Sequence, residues 1–105
     1  MKKASKTGRY SRNKGKRGEL DLVHRIPGAK RVGISFKKSI VDIEWPRGVA
    51  QVKNHSRIGG TTIAELLDEL SRVSDKRVYV IFKGKRGRWI VCQTLDQFLG
   101  GGDGV

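Results

Sequence analysis

Two short stretches of the sequence place acidic, amide and ammonium groups at the spacing of a β-strand. One carries Asp42 and Glu44 two positions apart, and the next carries Gln51 and Lys53 two positions apart. Side chains alternate across a strand, so each pair is predicted to share one face. Oxygen ligands of this kind suit magnesium or manganese, which keep several waters and bridge to phosphate oxygens. The pattern therefore indicates metal-assisted chemistry at a phosphate group.

The lysine of this pattern has a role of its own in such chemistry. Lys53 could orient the attacking water or neutralise the charge that develops on the phosphate in the transition state. Alternating charged residues are also common on ordinary solvated sheet faces, and the pattern alone leaves that alternative open.

A tight turn is predicted to bring the two stretches together. The sequence Pro46-Arg47-Gly48 separates a predicted strand over residues 40–45 from another over residues 49–53. So short a connection implies an antiparallel hairpin. Both polar faces then lie on the same side of the sheet and form one cluster of two carboxylates, an amide and an ammonium group. A further strand is predicted just upstream, over residues 32–36.

The first predicted helix carries a carboxylate on its apolar stripe. Order is expected to begin at Glu19, which three apolar residues follow at helical spacing: Leu22, Val23 and Ile26. Asp21 and Arg25 are predicted to pair on the solvent side. A carboxylate turned toward a core costs several kcal/mol unless a cation or hydrogen-bond donors meet it. Glu19 is thus either compensated by something specific or placed at a frayed helix start.

The remaining elements complete a mixed α/β architecture. A helix is predicted to start at Thr62, with Glu65 closing a capping box. Its buried face is formed by Ile63, Leu66, Leu67 and Leu70. Residues 78–82 and 88–92 are expected to be strands covered on both faces, and residues 95–99 a short helix. The order of helix, three strands, helix and two strands predicts an α/β fold, a small mixed sheet flanked by helices.

The charge of the chain points to an anionic partner. The formal net charge is +13, and the eight lysines and arginines of residues 1–18 stand there without a single acid. This stretch is interpreted as a flexible basic arm, followed by one domain over residues 19–99 and a flexible glycine-rich tail over residues 100–105. Nucleic acid is the expected partner, because the arm lacks the apolar residues of a membrane-surface helix. A merely solubilising arm remains the alternative.

Cysteine usage and hydropathy bear on the cellular location. Cys92 is the single cysteine, so no internal disulfide can form and no thiol cluster can hold zinc. No stretch approaches the ~20 apolar residues needed to span a bilayer. The expectation is a protein of the cytoplasm without membrane association.

The order of these patterns resembles a known family of nucleases. The matching stretches are Lys14–Val23, Val41–Ile43 and Ala50–Lys53. They are similar to the successive motifs of archaeal-type Holliday-junction resolvases, members of the restriction-endonuclease-like nuclease superfamily. The resemblance covers most of residues 14–92 and implies a restriction-endonuclease-like nuclease core.

Residue by residue, the resemblance implies a set of catalytic groups with one departure. Glu19 matches the family's helix glutamate, Asp42 its strand aspartate, and Lys53 the lysine of its Glu-x-Lys pair. Position 51 is glutamine where the resolvases usually carry glutamate. Gln51 can still offer a carbonyl oxygen to a metal, and Glu44 could supply the missing charge.

The resemblance also implies an activity and its partners. It implies an Mg²⁺-dependent endonuclease, with Mn²⁺ able to substitute, that acts as a homodimer and resolves four-way DNA junctions by paired symmetric cuts. The candidates for contact with DNA are Lys14, Lys16, Arg17, Ser39, His55, Arg57, Lys83, Lys85 and Arg86. Two alternatives stay open: a nuclease of the same superfamily that acts on flaps or ends, and a basic nucleic-acid-binding protein without catalysis.

Overall fold

The computed structural model describes residues 17–32, 40–53 and 57–100. The predicted arm up to residue 16, the tail from residue 101 and residues 33–36 of the first predicted strand lie outside these ranges. In chain order the elements are α1 (17–25), β1 (Lys30–Arg31), β2 (Ile43–Trp45), β3 (Gly48–Lys53), α2 (Gly60–Val73), β4 (Arg77–Lys83), β5 (Trp89–Cys92) and α3 (Leu95–Phe98). A 3₁₀ turn over Lys85–Gly87 separates β4 from β5.

The strands form one five-stranded mixed sheet. They lie in the order β1-β2-β3-β4-β5, with β3 and β4 parallel and each other neighbouring pair antiparallel. The parallel pair follows from its connection, since α2 carries the chain back across the sheet. The hairpin predicted around Pro46 is confirmed, with Trp45 opposite Gly48. The predicted α/β class with a mixed sheet is confirmed as well.

Each face of the sheet is covered by one of the two longer helices. On one face Leu22 of α1 packs against buried side chains of β2, β3 and β4, namely Ile43, Ala50, Val52 and Ile81. On the other face Leu67 and Leu70 of α2 pack against Val49, Val78 and Val80. Strand β4 contributes Ile81 to one core and Val78 and Val80 to the other, so it is covered on both faces, as its continuous apolar run predicts.

The edge strand β5 departs from that prediction. Ile90 and Val91 are exposed, so the expectation that residues 88–92 are covered on both faces is wrong in part. The physical reason is position: α1 and α2 pack over the central strands, and β5 lies at the end of the sheet.

The helices differ from prediction mainly at their starts. The capping box at Thr62 is wrong, because α2 begins at Gly60 with Gly59 at its N-cap and no side-chain cap bond. α3 is capped by Thr94, whose hydroxyl oxygen accepts from the Gln97 amide at 3.2 Å. In the part of the chain described here, every helix is too short or too polar to cross a bilayer.

The α2-side core gives a first testable prediction. Leu70 is fully buried between α2 and the sheet, whereas Val73, nearly one turn later, is 63% exposed. Leu70→Ala is expected to lower the free energy of unfolding by about 2–5 kcal/mol, because it removes buried methyl groups and leaves a cavity. Val73→Ala is the control and should change it by no more than about 0.5 kcal/mol. Urea unfolding measures both, and equal losses would contradict the described packing of α2.

Candidate active site

Asp42 lies immediately before β2, at the point where the backbone pairing of the β2–β3 hairpin ends. Its Oδ2 accepts the Val52 amide N–H at 2.7 Å, and its own amide donates to the Ala50 carbonyl at 2.8 Å. The carboxylate thus occupies the place of a strand carbonyl. This bond fixes the carboxylate against β3 at Val52, the residue between Gln51 and Lys53 in the chain.

The surroundings of Asp42 make its negative charge costly. Burial raises the pKa of Asp42 to about 6, against the lowering effect of the Val52 amide. The Glu19 carboxylate raises the pKa further, while Lys53 and Arg31 lower it. Desolvation therefore outweighs the available positive charge. Glu19 and Lys53 both lie close enough to act on the Asp42 carboxylate electrostatically, so three of the four predicted catalytic residues converge here.

Glu19 is compensated by a specific partner. It lies on the half-buried side of α1, and its Oε1 accepts from Arg31 Nε at 2.9 Å. The carboxylate predicted to lie on the apolar stripe is therefore met by a guanidinium from β1. Nothing in the sequence pattern indicated Arg31, since one more arginine in so basic a chain carries no signal, and only the sheet brings it next to α1.

Gln51 has an unsatisfied acceptor on the strand that pairs with the Asp42 segment. Extending the register one step beyond the pair of Ile43 and Ala50 places Gln51 opposite Asp42. Its side-chain Oε1 is buried, and within the described ranges it has no hydrogen-bond partner. Leaving a buried acceptor unpaired costs about 1–3 kcal/mol. A bound water or cation that reached this oxygen would remove that cost.

The chemistry of the oxygen donors here is that of a hard divalent cation's ligands. The Glu19 and Asp42 carboxylates and the Gln51 amide oxygen are of the type that magnesium and manganese take, although Gln51 alternates along β3 with residues that face α1 and so shares the α2 side with Val49. The described residues contain no group of three or more His, Cys, Asp or Glu side chains placed to hold a metal. A site here would accordingly use two carboxylates and one amide, and water would complete its coordination.

Glu44 lies apart from this cluster. Its carboxylate is held by Lys30 at 3.6 Å and by Lys76 at 3.4 Å. The prediction that Asp42 and Glu44 share one face of a strand required side chains to alternate from residue 40 onward. They do not, because Ile40 and Val41 both pack toward the α2 side and the strand begins only at Ile43. Glu44 is also not among the charges that shift the pKa of Asp42. The hypothesis that Glu44 replaces the missing charge at position 51 gains no support from this arrangement.

A second hydrogen-bond network fixes α1 to the far edge of the sheet. Asp21 accepts from Trp89 Nε1 at 2.6 Å and from Arg25 Nε at 3.1 Å. The Arg25 pair is as predicted from the helical spacing, whereas the Trp89 bond is not. The Trp89 hydrogen bond, with help from Arg25, lowers the pKa of Asp21. This network therefore fixes α1 only two residues away from Glu19.

The predicted DNA-contacting residues fall into two groups. Arg17, Arg57, Lys85 and Arg86 are exposed. Lys83 is half-buried, with its Nζ 5.3 Å from the centre of the Trp89 ring, a cation–π arrangement. Lys14, Lys16, Ser39 and His55 lie outside the described residues.

Comparison of the chain with protein-family models, with curated proteins and with solved structures gave no match in any of the three. Function is therefore inferred from the chemistry of the side chains around Asp42.

The raised pKa of Asp42 predicts a stability gain on removing its charge. Between the unfolded pKa of 3.8 and the folded pKa of about 6 the native state binds more protons, so this group's contribution to stability falls as pH rises. Asp42→Asn keeps an acceptor for the Val52 amide and lacks the charge. With chelator present, it should stabilise the protein by about 1–2 kcal/mol at about pH 7.5, after a discount for partial exposure.

The same comparison at about pH 4 is the internal control, since wild-type Asp42 is then mostly protonated and the gain should nearly vanish. Urea unfolding of wild type and variant at both pH values measures the difference in their free energies of unfolding. The other carboxylates titrate in both proteins, so their contributions cancel in that difference. A variant that is less stable than wild type at about pH 7.5 would contradict the assignment of Asp42 as a desolvated charge.

Proposed function

We propose that this protein is a metal-dependent endonuclease that binds DNA through its phosphate backbone and resolves four-way junctions by paired symmetric cuts. One observation carries the proposal: the half-buried carboxylate of Asp42 lies within electrostatic reach of Glu19 and Lys53. Gln51, which the hairpin register places opposite Asp42, adds a buried Oε1 without a partner among the described residues. A carboxylate whose charge is penalised by burial and a buried acceptor without a partner are features that a bound cation would satisfy.

Each residue has a distinct part in this proposal. Glu19, Asp42 and Gln51 would hold Mg²⁺, or Mn²⁺ in its place, and the bound ion would polarise the phosphate and lower the pKa of a bound water. Lys53 places an ammonium group beside the carboxylates, where it can stabilise charge on the phosphate oxygens. Arg31 holds the Glu19 carboxylate in position at 2.9 Å.

The surface of the chain supports a DNA substrate bound by its backbone. Arg17, Arg57, Lys85 and Arg86 are exposed, and the chain carries +13 overall. Phosphate contacts release condensed counterions, so affinity should fall steeply as salt is raised, with little dependence on base sequence. The choice of four-way junctions and of a homodimer draws on the resemblance of residues 14–92 to the resolvases. The element order, α1 before an antiparallel hairpin and α2 before a parallel strand, agrees with it.

A binding protein without catalysis is the second candidate, and one observation favours it. Glu19 and Glu44 are each paired with cations of the protein itself, Glu19 with Arg31 and Glu44 with Lys30 and Lys76. Their presence therefore has a structural explanation that needs no metal. Asp42 also has a structural contact, the Val52 amide, so the explanation leaves out only the cost of burying its charge and the unpartnered oxygen of Gln51.

The cleavage prediction separates these candidates. Incubation with a labelled four-way junction should give symmetric nicks with Mg²⁺ and none with chelator. Asp42→Asn and Lys53→Ala should each lower the cleavage rate at least about 100-fold while binding persists, because they remove a ligand and a charge-stabilising group. Denaturing gels measure cleavage, and gel shifts in chelator measure binding.

Two comparisons complete this experiment. Glu44→Gln is the matched control, since it removes an acid that is paired elsewhere, and it should leave cleavage within about threefold of wild type. Linear and flapped DNA in the same assay distinguish a junction resolvase from a nuclease that acts on ends or flaps. Full cleavage by Asp42→Asn would end the nuclease proposal.

Metal binding is predicted to be visible without any substrate. At about pH 7.5, Mg²⁺ or Mn²⁺ at 100 times its dissociation constant should stabilise the wild type by about 2.7 kcal/mol, since a ligand that binds only the folded state shifts the unfolding equilibrium. Asp42→Asn should lose most of this response and Glu44→Gln should keep it. Gln51→Glu should enhance it, because a carboxylate then replaces a neutral ligand. Thermal unfolding with and without Mg²⁺, Mn²⁺ or Ca²⁺ measures the stabilisation by each ion. Equal stabilisation of the wild type and all variants would count against a metal site at these residues.

A further inference from the structure

The ion pair between Arg31 and Glu19 is a single hydrogen bond in a half-buried position. Arg31 Nε donates to Glu19 Oε1 at 2.9 Å, and within the described ranges neither side chain makes another hydrogen bond. Arginine binds a carboxylate most strongly through two parallel bonds, which this pair lacks. The Arg31 side chain is 34% exposed, so its guanidinium can turn to water without crossing the core. The contact therefore suits a pair that can be exchanged.

Arg31 also lies within reach of the second acid of the candidate site. Arg31 pairs in register with Ile43, whose side chain belongs to the α1-side core. The next backbone bond along this edge joins the Val32 amide to the Asp42 carbonyl at 3.0 Å. The charges of Arg31 and Glu19 both act on the Asp42 carboxylate. Two carboxylates and one guanidinium therefore share a small region on the α1 side of the sheet.

Helix α1 has a second anchor that does not involve Arg31. Asp21 accepts from the indole N–H of Trp89 at 2.6 Å, and the Trp89 ring packs against the α1-side core. Leu22 adds a buried apolar contact on the next residue. Arg31, in contrast, belongs to a two-residue strand at the edge of the sheet. The Glu19 backbone can therefore stay in place when the Arg31 side chain moves away.

Arg31 and a divalent cation would compete for the Glu19 carboxylate. Both carry positive charge, and their mutual repulsion is strong at a half-buried position where water screens poorly. The carboxylate gains full electrostatic stabilisation from either partner, but the two partners together repel one another. Binding of an ion at Glu19 therefore favours departure of the guanidinium from that carboxylate.

We propose that Arg31 is an exchangeable counter-cation, which neutralises Glu19 while no divalent ion is bound and leaves that carboxylate when one binds. The inference deepens the proposed function and rests on it, because Glu19 is one of the residues that would hold Mg²⁺. It explains how an acid with a structural partner can also serve as a ligand. It also sets the affinity of the site, since the bond between Arg31 and Glu19 opposes ion binding.

Isothermal titration calorimetry of the full chain without DNA measures this competition. Arg31→Gln removes the cation and keeps a polar side chain. Its dissociation constant for Mg²⁺ or Mn²⁺ should be at least about tenfold lower than that of the wild type, because a hydrogen bond between charged groups no longer opposes binding. Lys30→Gln is the matched control, with the same loss of charge one residue away, where Lys30 pairs with Glu44 at 3.6 Å. It should bind each ion within about threefold of wild type, since an exposed pair contributes little.

A second measurement follows Arg31 in the wild type and needs no variant. The side-chain N–H resonance of Arg31, observed by heteronuclear NMR, should shift and lose its protection from solvent exchange as Mg²⁺ is added. The indole N–H of Trp89 is the internal reference, because its bond to Asp21 at 2.6 Å stays in place. Circular dichroism checks that both variants fold, and the NMR titration decides the question if Arg31→Gln does not.

The outcomes separate this inference from the proposed function. If the wild type binds the ion and the Arg31 resonance stays unchanged, Arg31 is a permanent structural partner and the exchange is overturned, while the metal site stands. The same holds if Arg31→Gln binds no more tightly than Lys30→Gln. Ion binding by Arg31→Gln alone supports the competition and counts against metal binding by the wild type. If no protein in the series binds Mg²⁺ or Mn²⁺, the exchange and the proposed metal site are overturned together.

Discussion

The hydrogen bond from the Val52 amide to the Asp42 carboxylate is the contact on which the candidate site depends. At 2.7 Å it ties the segment before β2 to β3 and holds an ionisable group in a half-buried position. The hydrogen bond itself stabilises the ionised carboxylate and lowers its pKa, yet burial raises the pKa of Asp42 to about 6. A carboxylate with a pKa shifted by burial is a candidate functional group.

The rest of the site is arranged so that α1 can deliver a second acid to this point. Arg31 meets Glu19 from the sheet, and Trp89 holds Asp21 from the opposite edge. These two bonds fix the helix at positions 19 and 21, in addition to the apolar contact of Leu22. The approach of two carboxylates is unfavourable in itself. Strong anchoring of α1 is what allows the unfavourable arrangement to persist in the folded state.

Basic side chains are unevenly distributed over the described surface. The 3₁₀ turn between β4 and β5 exposes Lys85 and Arg86, whereas the sequence from Trp89 onward holds no lysine or arginine. Exposed cations of this kind attract phosphates, and salt screens that attraction. A salt-dependent affinity for DNA is therefore what the proposed function requires of this turn.

Sequence alone determined the elements of the fold and the chemistry to look for. The helical spacing after Glu19, the turn at Pro46 and the continuous apolar run of β4 are local signals, because 3.6-residue and two-residue periods are properties of the chain itself. The neighbours of each side chain were decided by the tertiary structure. The burial of Asp42, the Arg31 partner of Glu19 and the separation of Glu44 from the site depend on residues distant in sequence, and no period encodes them. The exposure of Ile90 and Val91 has the same origin. The composition of an apolar strand does not tell whether the strand lies at the centre of a sheet or at its edge, and only the packing of helices over that sheet decides which strand is covered.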